Sequence, residues 1–442
     1  MKAQSIKSRF AKYVSLNVIG MVGISLYILA DTFFISKALG ALGITALNFN
    51  IAVYSILHGT GLMIGIGGAS RYSIFKGLKK YSDADSTLMN SLFLGAVASL
   101  IFLITGILFS TDISLLLGAD DETLAYSEVY MCTILCFSPC FILNNIISAF
   151  VRNDGAPGIC TIAMIAGNIT NIILDYIFIF PMNMGMYGAV LATGFSPIVS
   201  MSILAVHLRK NPESLRLSRF IPSMHKMLSL MKLGLSAFIS ELSSAVSVIA
   251  FNFIMLEIGG NIAVASYGIV ANTALVASAI FTGVSQGVQP IASSEYGNDN
   301  KPALSKIAKY SVITTFCISA VVILSVFFFA EGIASFFNGD GDKNLEALAV
   351  NGLRMYFTGF AFAGLNIVIS SFFSSVDMPG KAFVSSFLRS SALLVPIVIA
   401  LSLAFGINGT WLSFAVTEFI ALVATFINLR RSGYLGKTHS AL

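Results

Sequence analysis

The stretch from residue 88 to residue 110 reads LMNSLFLGAVASLIFLITGILFS and contains no charged side chain. An α-helix rises about 1.5 Å per residue, so a helix of this length crosses the hydrocarbon core of a bilayer, which is roughly 30 Å thick. Similar runs recur along the chain and predict twelve membrane-spanning helices. Their predicted ranges are 13–36, 45–69, 88–110, 127–150, 158–181, 187–206, 227–256, 262–291, 307–330, 349–374, 382–405 and 409–429.

The composition agrees with a polytopic membrane protein. Apolar residues make up 56% of the chain, charged residues make up 11%, and the mean hydropathy is +0.86. Soluble domains carry roughly 25% charged residues, so a soluble enzyme is excluded. The predicted fold class is therefore an all-α membrane protein.

The connecting segments are charged asymmetrically. Basic residues concentrate in segments on the side of the two termini, at 76–80, 207–232 and 430–437, and Arg389 is counted with them. Short loops rich in Lys and Arg stay in the cytoplasm, so both termini are predicted to be cytoplasmic. The net charge of +5 then reflects sidedness rather than a nucleic-acid surface. The acidic residues predicted on the outer side are Asp112, Asp120, Asp121, Glu122, Asp340, Asp342 and Glu346.

The chain is internally duplicated with a period of about 220 residues. Gly40 is matched with Gly259, and the turn beginning at Gly185 is matched with the turn beginning at Gly406. Each copy holds six spans, an even number, so both copies enter the membrane in the same orientation and form a parallel repeat. The predicted organisation is an N-lobe (1–206), a cytoplasmic linker (207–226) and a C-lobe (227–442), with a central cavity between the lobes.

Two carboxylates stand inside otherwise apolar spans. Asp31 lies near the outer end of helix 1, and Asp175 lies at the same predicted depth in helix 5. A charge at such depth is costly and indicates a functional site. The second copy has Ala250 and Pro396 at the matching places, so packing of the repeat does not require these acids.

Polar residues are predicted around this acid pair. Asn168, Asn171 and Asp175 are spaced i, i+3, i+7 and share one helix face, and Thr193 of helix 6 reaches the same layer. Carboxylate, amide and hydroxyl oxygens are hard ligands that suit Na⁺, and a buried carboxylate can instead hold a proton. The alternative is a hydrogen-bonded cluster that only joins helices.

Four sequence segments resemble the multidrug and toxic compound extrusion (MATE) transporters, within them the DinF- and MepA-like branch. They are 31–35 (DTFFI), 152–157 (RNDGAP), 171–175 (NIILD) and 185–193 (GMYGAVLAT). The resemblance implies a cation site at Asp31, Asn171, Asp175 and Thr193, and antiport of H⁺ or Na⁺ against bulky, often cationic drugs. We further predict a monomer in a bacterial cell (inner) membrane, in contact with membrane lipids, with no nucleic-acid partner and no cofactor besides the coupling ion, H⁺ or Na⁺.

Other polar residues inside spans are weighed separately. Glu241 in helix 7 resembles a cation-site glutamate of the NorM-like branch, but the partner acid expected on helix 10 is missing and only Asn366 is available. We interpret Glu241 as a coupling residue, a substrate contact, or a hydrogen-bonded structural residue. Glu418 in helix 12 is a weaker candidate. The other predicted polar groups of the cavity are Gln286, Gln289 and Asn272.

Two other functions are considered. A flippase of a lipid-linked precursor would need several cations in its cavity for pyrophosphate, yet Lys and Arg avoid the predicted spans. A membrane-embedded enzyme would need a metal or nucleophile cluster. The histidines are interpreted as scattered, with no His–Asp or His–Glu cluster at one depth, and are His58, His207, His225 and His439.

Overall fold

The computed structural model describes residues 5–210, 215–216, 221–338 and 342–434. Across these residues the regular structure is helical and contains no β-strand. Asp340, His439 and parts of the predicted linker 207–226 lie outside them.

The first half of the chain forms six membrane-length helices. The fourth is a pair of helices bent by 47° at Phe137, which precedes Pro139. The missing amide of a proline inside a span explains such a bend. The helices are α1 (Ile6–Gly40), α2 (Leu42–Gly77), α3 (Tyr81–Leu116), α4 (Leu124–Cys136 with Ser138–Asn153), α5 (Pro157–Ile179) and α6 (Gly185–Lys210).

The second half contains two long helical runs, Met224–Gly297 and Pro379–Arg431, each broken once at a glycine. Between them lie two further spans. We number the helices of this half α7 (224–260), α8 (261–297), α9 (Lys301–Phe337), α10 (Lys343–Ser375), α11 (379–406) and α12 (407–431).

Three glycines make the sharp breaks between consecutive spans. Gly40 (φ 62°, ψ −149°), Gly260 (φ 63°, ψ −158°) and Gly406 (φ 60°, ψ −140°) have nearly the same backbone conformation. This region is essentially restricted to glycine. The described residues contain nine helices long and apolar enough to cross a membrane, or ten with the bent pair. Dividing the two long runs at their glycines gives the twelve predicted spans.

The repeat is offset by one residue from the prediction at its first glycine. Gly260, rather than Gly259, has the backbone conformation of Gly40. Gly259 remains helical, and a Cβ there would lie 2.6 Å from Ala263 Cβ. Both members of the pair therefore need glycine, for different reasons, and the sequence alone does not separate them.

Helix α11 is irregular at a position where a regular helix was predicted. Residues Leu388–Ala392 form a π-helical turn, and Ser390 has a non-helical ψ of −145°. Pro396 lies four residues after Ala392 and cannot donate a hydrogen bond to it, which explains the distortion. Arg389 belongs to this turn inside a span, so its assignment to a connecting segment was wrong.

The chain packs into two compact units. One contains Ile19–Leu242 with Tyr296–Asn298, and the other contains Met1–Val18, Ser243–Glu295 and Asp299–Leu442. Helices α1 and α7 are therefore each divided between units. The predicted lobe boundaries stay a prediction.

Each unit has its own core. In the first unit, Ile35, Met131 and Phe150 are fully buried, and in the second, Phe251, Phe281 and Trp411 are. The N-terminal segment is held within the second unit by an ion pair between Arg9 Nη1 and Glu295 Oε1, 2.7 Å apart.

Candidate functional site

The predicted cation site lies in the first unit, on α5, α6 and the part of α1 after Val18. Asp175 and Asn171 are completely buried, and Asp31 and Thr193 are 7% and 6% exposed. Helices α5 and α6 come close together at Gly167, where a Cβ would lie 2.9 Å from Ser196 O. This close approach allows the short side chains of the two helices to meet.

Asn171 links the two helices through its amide. In one orientation, Nδ2 donates to Thr193 Oγ1 at 3.3 Å. In the other, Nδ2 donates to Asp175 Oδ2 at 3.1 Å and Oδ1 accepts from the Thr193 N–H at 3.2 Å. We adopt the second orientation because it satisfies both ends of the amide. Thr193 Oγ1 donates to Ala189 O at 3.2 Å.

The two carboxylates retain unused acceptors. Asp31 Oδ1 and Asp175 Oδ1 are buried and have no hydrogen-bond partner among the described residues. The charges of the two groups interact directly. Two buried carboxylates that repel one another are stabilised by a proton or a small cation. The oxygens of Asp31 and Asp175, with the polar groups of Asn171 and Thr193, suit H⁺ or Na⁺.

Asn168 lies beside this network without joining it. Its Nδ2 is buried, has no partner in the described part of the chain, and faces the backbone of α1 at Gly23, where a Cβ would lie 3.1 Å away. The structure therefore brings Asn168 to the interface of α1 and α5, while Asn171, Asp175 and Thr193 form the hydrogen-bonded set.

Tyrosines near the carboxylates were missed in the sequence. Tyr27 interacts electrostatically with Asp31, Asp175 and Glu241, and it meets Tyr54 of α2 through its hydroxyl group. Tyr130 of α4 interacts electrostatically with Asp31 and Asp175. Tyr27 precedes Asp31 by one helical turn, and this spacing was the available signal.

Glu241 has a histidine partner, and this corrects the interpretation of the histidines as scattered. His58 Nδ1 lies 3.3 Å from Glu241 Oε1, within ion-pair distance but without hydrogen-bond geometry, and the two side chains are 25% and 30% exposed. Tyr54 stacks on the His58 ring with centroids 5.7 Å apart. The sequence did not reveal the pair because its members come from α2 and α7, which are 183 positions apart in the numbering.

The remaining predicted polar groups lie in the second unit. Gln286 and Gln289 are buried, and Gln286 Oε1 has no partner among the described residues, whereas Asn272 is half-buried. Glu418 is buried and bonds to Asn366 and Arg389. Arg389 also corrects the expectation that Lys and Arg avoid the spans.

No group of three or more His, Cys, Asp or Glu side chains in the described ranges could hold a metal ion. The free cysteines Cys132, Cys136 and Cys140 of α4 are all partly exposed. The candidate cation site differs from such a centre because it combines only two acids, Asp31 and Asp175, with an amide and a hydroxyl.

A scan against protein-family models matches the MatE family over residues 18–177 and 236–401. The multidrug export protein MepA of Staphylococcus saprophyticus is 27% identical over 386 residues, covering 87% of this chain and 84% of that protein. MepA of Staphylococcus aureus is 26% identical over 412 residues, covering 93% of this chain and 90% of that protein.

Solved structures share the fold. A MATE family transporter of the MOP superfamily described in an outward-facing conformation has a TM-score of 0.91 and 21% identity, covering 98% of this chain and 97% of that one. A MOP superfamily transporter from Pyrococcus furiosus has a TM-score of 0.90 and 21% identity, covering 98% of both chains.

Proposed function

The chain belongs to the MatE family, and from that membership we propose that it is a cation-coupled antiporter, driven by H⁺ or Na⁺. Its substrates are bulky organic, often cationic, drugs, which it exports by alternating access. It acts as a monomer in a bacterial cell membrane, surrounded by lipid, with both termini in the cytoplasm. It needs neither a nucleic acid nor a cofactor besides the coupling ion, and it catalyses no chemical reaction.

One observation carries the proposal. Asp31 and Asp175 are buried within membrane spans, and each keeps an oxygen without a partner in the described residues. Burying carboxylate oxygens without partners costs free energy and adds nothing to a purely structural cluster. A site that takes up and releases a cation needs such oxygens. The relatives named multidrug export proteins support export as the direction of drug movement.

The coupling step follows from the charge of the site. A cation that enters from outside neutralises the Asp31 and Asp175 pair, which removes their repulsion and draws α1, α5 and α6 together. The drug is bound better when the acids are unoccupied. Since a ligand shifts a conformational equilibrium only by its differential affinity, cation and drug must favour different states.

A lipid-precursor flippase fits less well. Pyrophosphate recognition needs free cationic side chains inside the membrane. Arg389 lies inside a span, but its guanidinium is already engaged by Glu418. The relatives are export proteins for drugs, and this also favours antiport over a flippase.

The test is gradient-driven transport of an ethidium-like dye in proteoliposomes with an imposed Na⁺ or pH gradient. Asp31→Asn and Asp175→Asn should each abolish gradient-driven export, because a neutral amide cannot exchange a proton or balance a cation. Asp121→Asn, which changes an exposed carboxylate, is the matched control and should export normally. Wild-type export rates in Asp31→Asn or Asp175→Asn would disprove the assignment of the coupling site.

A further inference from the structure

The second unit contains a buried ion pair at the irregular turn of α11. Arg389 Nη2 donates to Glu418 Oε1 at 2.8 Å, and Arg389 Nε lies 3.2 Å and 3.3 Å from Oε1 and Oε2. Asn366 Nδ2 donates to Glu418 Oε2 at 2.8 Å and to Glu418 O at 2.9 Å. Both carboxylate oxygens of Glu418 are therefore occupied.

The pair is well shielded. The Glu418 side chain is 2% exposed and the Arg389 side chain is 15% exposed. Tyr356 of α10 also interacts electrostatically with both members. A carboxylate at this depth must be neutralised or paired, and a guanidinium with two donors directed at it does so in a fixed geometry.

The two units differ in what lies next to their buried carboxylates. In the first, Asp31 and Asp175 have oxygens that lack partners in the described residues. In the second unit, the matching positions are Ala250 and Pro396, which are not acids. The buried acid there is Glu418, and its counter-ion is the guanidinium of Arg389 in the same chain. A side-chain cation cannot leave the protein during a transport cycle.

We propose that Arg389 is a resident counter-ion that occupies a latent cation site formed by Glu418 and Asn366, so that the C-terminal half carries no exchangeable coupling ion. The number of cations moved per drug is then set by the Asp31 and Asp175 site alone. Asn366 Oδ1 is buried without a partner in the described residues and would complete an oxygen site if the guanidinium were removed. The inference rests on the proposed antiport function for the transport measurement below. The measurement of thermal unfolding tests cation binding and does not depend on that function.

The irregular turn gives Arg389 its place. The π-helical segment Leu388–Ala392 contains the arginine, and Pro396 accounts for the distortion one turn later. A π-helical turn changes the direction in which its side chains point relative to a regular helix. The same proline that occupies the place of Asp175 in the repeat therefore shapes the segment that supplies the fixed cation.

The first measurement uses thermal unfolding of detergent-purified protein in an Asp31→Asn, Asp175→Asn background, so that the first site is silent. Adding Arg389→Gln should create a rise of several degrees in melting temperature when Na⁺ replaces choline or when the pH is lowered. A cation that binds only folded protein raises its stability. The response should be absent in the background itself, in Arg389→Lys, and in Arg389→Gln with Glu418→Gln.

Two results would overturn the proposal in this measurement. One is that, in the Asp31→Asn, Asp175→Asn background, the Arg389→Gln protein has the same melting temperature as the protein with both Arg389→Gln and Glu418→Gln at every Na⁺ concentration and pH. The other is a response already present with Arg389 in place that Glu418→Gln removes, because Glu418 would then take an exchangeable cation despite its arginine.

The second measurement does not need the Arg389→Gln protein, in which Glu418 is left without its counter-ion, to fold. The drug gradient that stops net flux against a fixed cation gradient gives the number of cations per drug. Arg389→Gln with Glu418→Gln, in an otherwise unchanged chain, should give the wild-type number. A number lower by one would show that Glu418 carries a coupling ion, whereas an absence of coupling in wild type would refute the antiport function instead.

Discussion

At the scale of single residues, Asn171 joins the polar groups of the proposed coupling site. Its amide joins the Asp175 carboxylate to the backbone of Thr193, and Asn171 and Asp175 are completely buried. A residue that orients a ligand of a cation acts on affinity even when it is not itself the charged group.

We therefore expect Asn171→Ala to weaken cation binding by about 10- to 100-fold, the effect typical of losing a residue that orients a ligand. The measurement is the Na⁺ or H⁺ concentration that half-protects the purified protein against thermal unfolding. Asn168→Ala is the matched control on the same helix and should change this concentration less, since Asn168 stands outside the hydrogen-bonded set. Equal effects of the two substitutions would contradict the assigned role of Asn171.

The His58 and Glu241 pair leads to a second residue-level prediction. Because Glu241 is partly exposed and has a partner only 3.3 Å away, Glu241→Gln should reduce dye export only in part. Initial export rates at several dye concentrations measure this effect, with Asp31→Asn as the inactive reference. Complete loss of export at every dye concentration would instead place Glu241 in the essential coupling step.

The sequence predicted Asp31, Asn171, Asp175 and Thr193 as a group because helical spacing and depth can be counted along the chain. It did not predict the pairing of His58 with Glu241 or of Arg389 with Glu418. These pairs join helices distant in the chain, and their contact depends on helix rotation and on the distortion near Pro396. Spacing within one helix carries no information about either.

At the scale of elements, the breaks between spans depend on backbone conformation rather than on packing. A Cβ on Gly260 would meet no atom within 4 Å, yet its φ is +63°. Apolar run lengths predicted the number and order of the spans, but not their ends, since one helix runs from Tyr81 to Leu116 where 88–110 was predicted. They also did not predict that Gly260 rather than Gly259 makes the break, or the 47° bend in α4.

Gly260→Ala should lower the free energy of unfolding by about 1–3 kcal/mol, which is the cost of placing a side chain in this backbone region. Gly268→Ala is a matched control, because Gly268 is also half-buried with no atom within 4 Å of a Cβ but has no positive φ. Gly268→Ala should be neutral or slightly stabilising, since alanine favours helix. Unfolding of both proteins in detergent tests this, and equal stability of the two variants would exclude backbone strain as the cause.

At the scale of the whole molecule, antiport requires that binding of the cation weakens binding of the drug, and the reverse. Thermodynamic linkage makes the effect reciprocal, so each ligand weakens the other by the same factor. The repeat is informative here, because both halves share the glycine breaks while only the first has the Asp31 and Asp175 pair.

Drug affinity of the purified protein should fall as Na⁺ is raised, or as the pH is lowered, and this dependence should disappear in Asp31→Asn. Fluorescence titration with a cationic dye measures it, and the Asp121→Asn protein should behave as wild type. An affinity that stays constant across both titrations in wild type would leave the polar cluster as a structural contact between helices.

The ion pair between Arg9 and Glu295 has a consequence for biosynthesis. The two residues are 286 positions apart, so at about 5–20 residues per second the ribosome needs roughly 15–60 s to deliver the partner of Arg9. During that time the first unit already has its residues up to Leu242, whereas the N-terminal segment must wait for α8. A nascent chain halted before Glu295 would therefore expose this segment to proteases or chaperones, and protection of the segment would mark the arrival of α8.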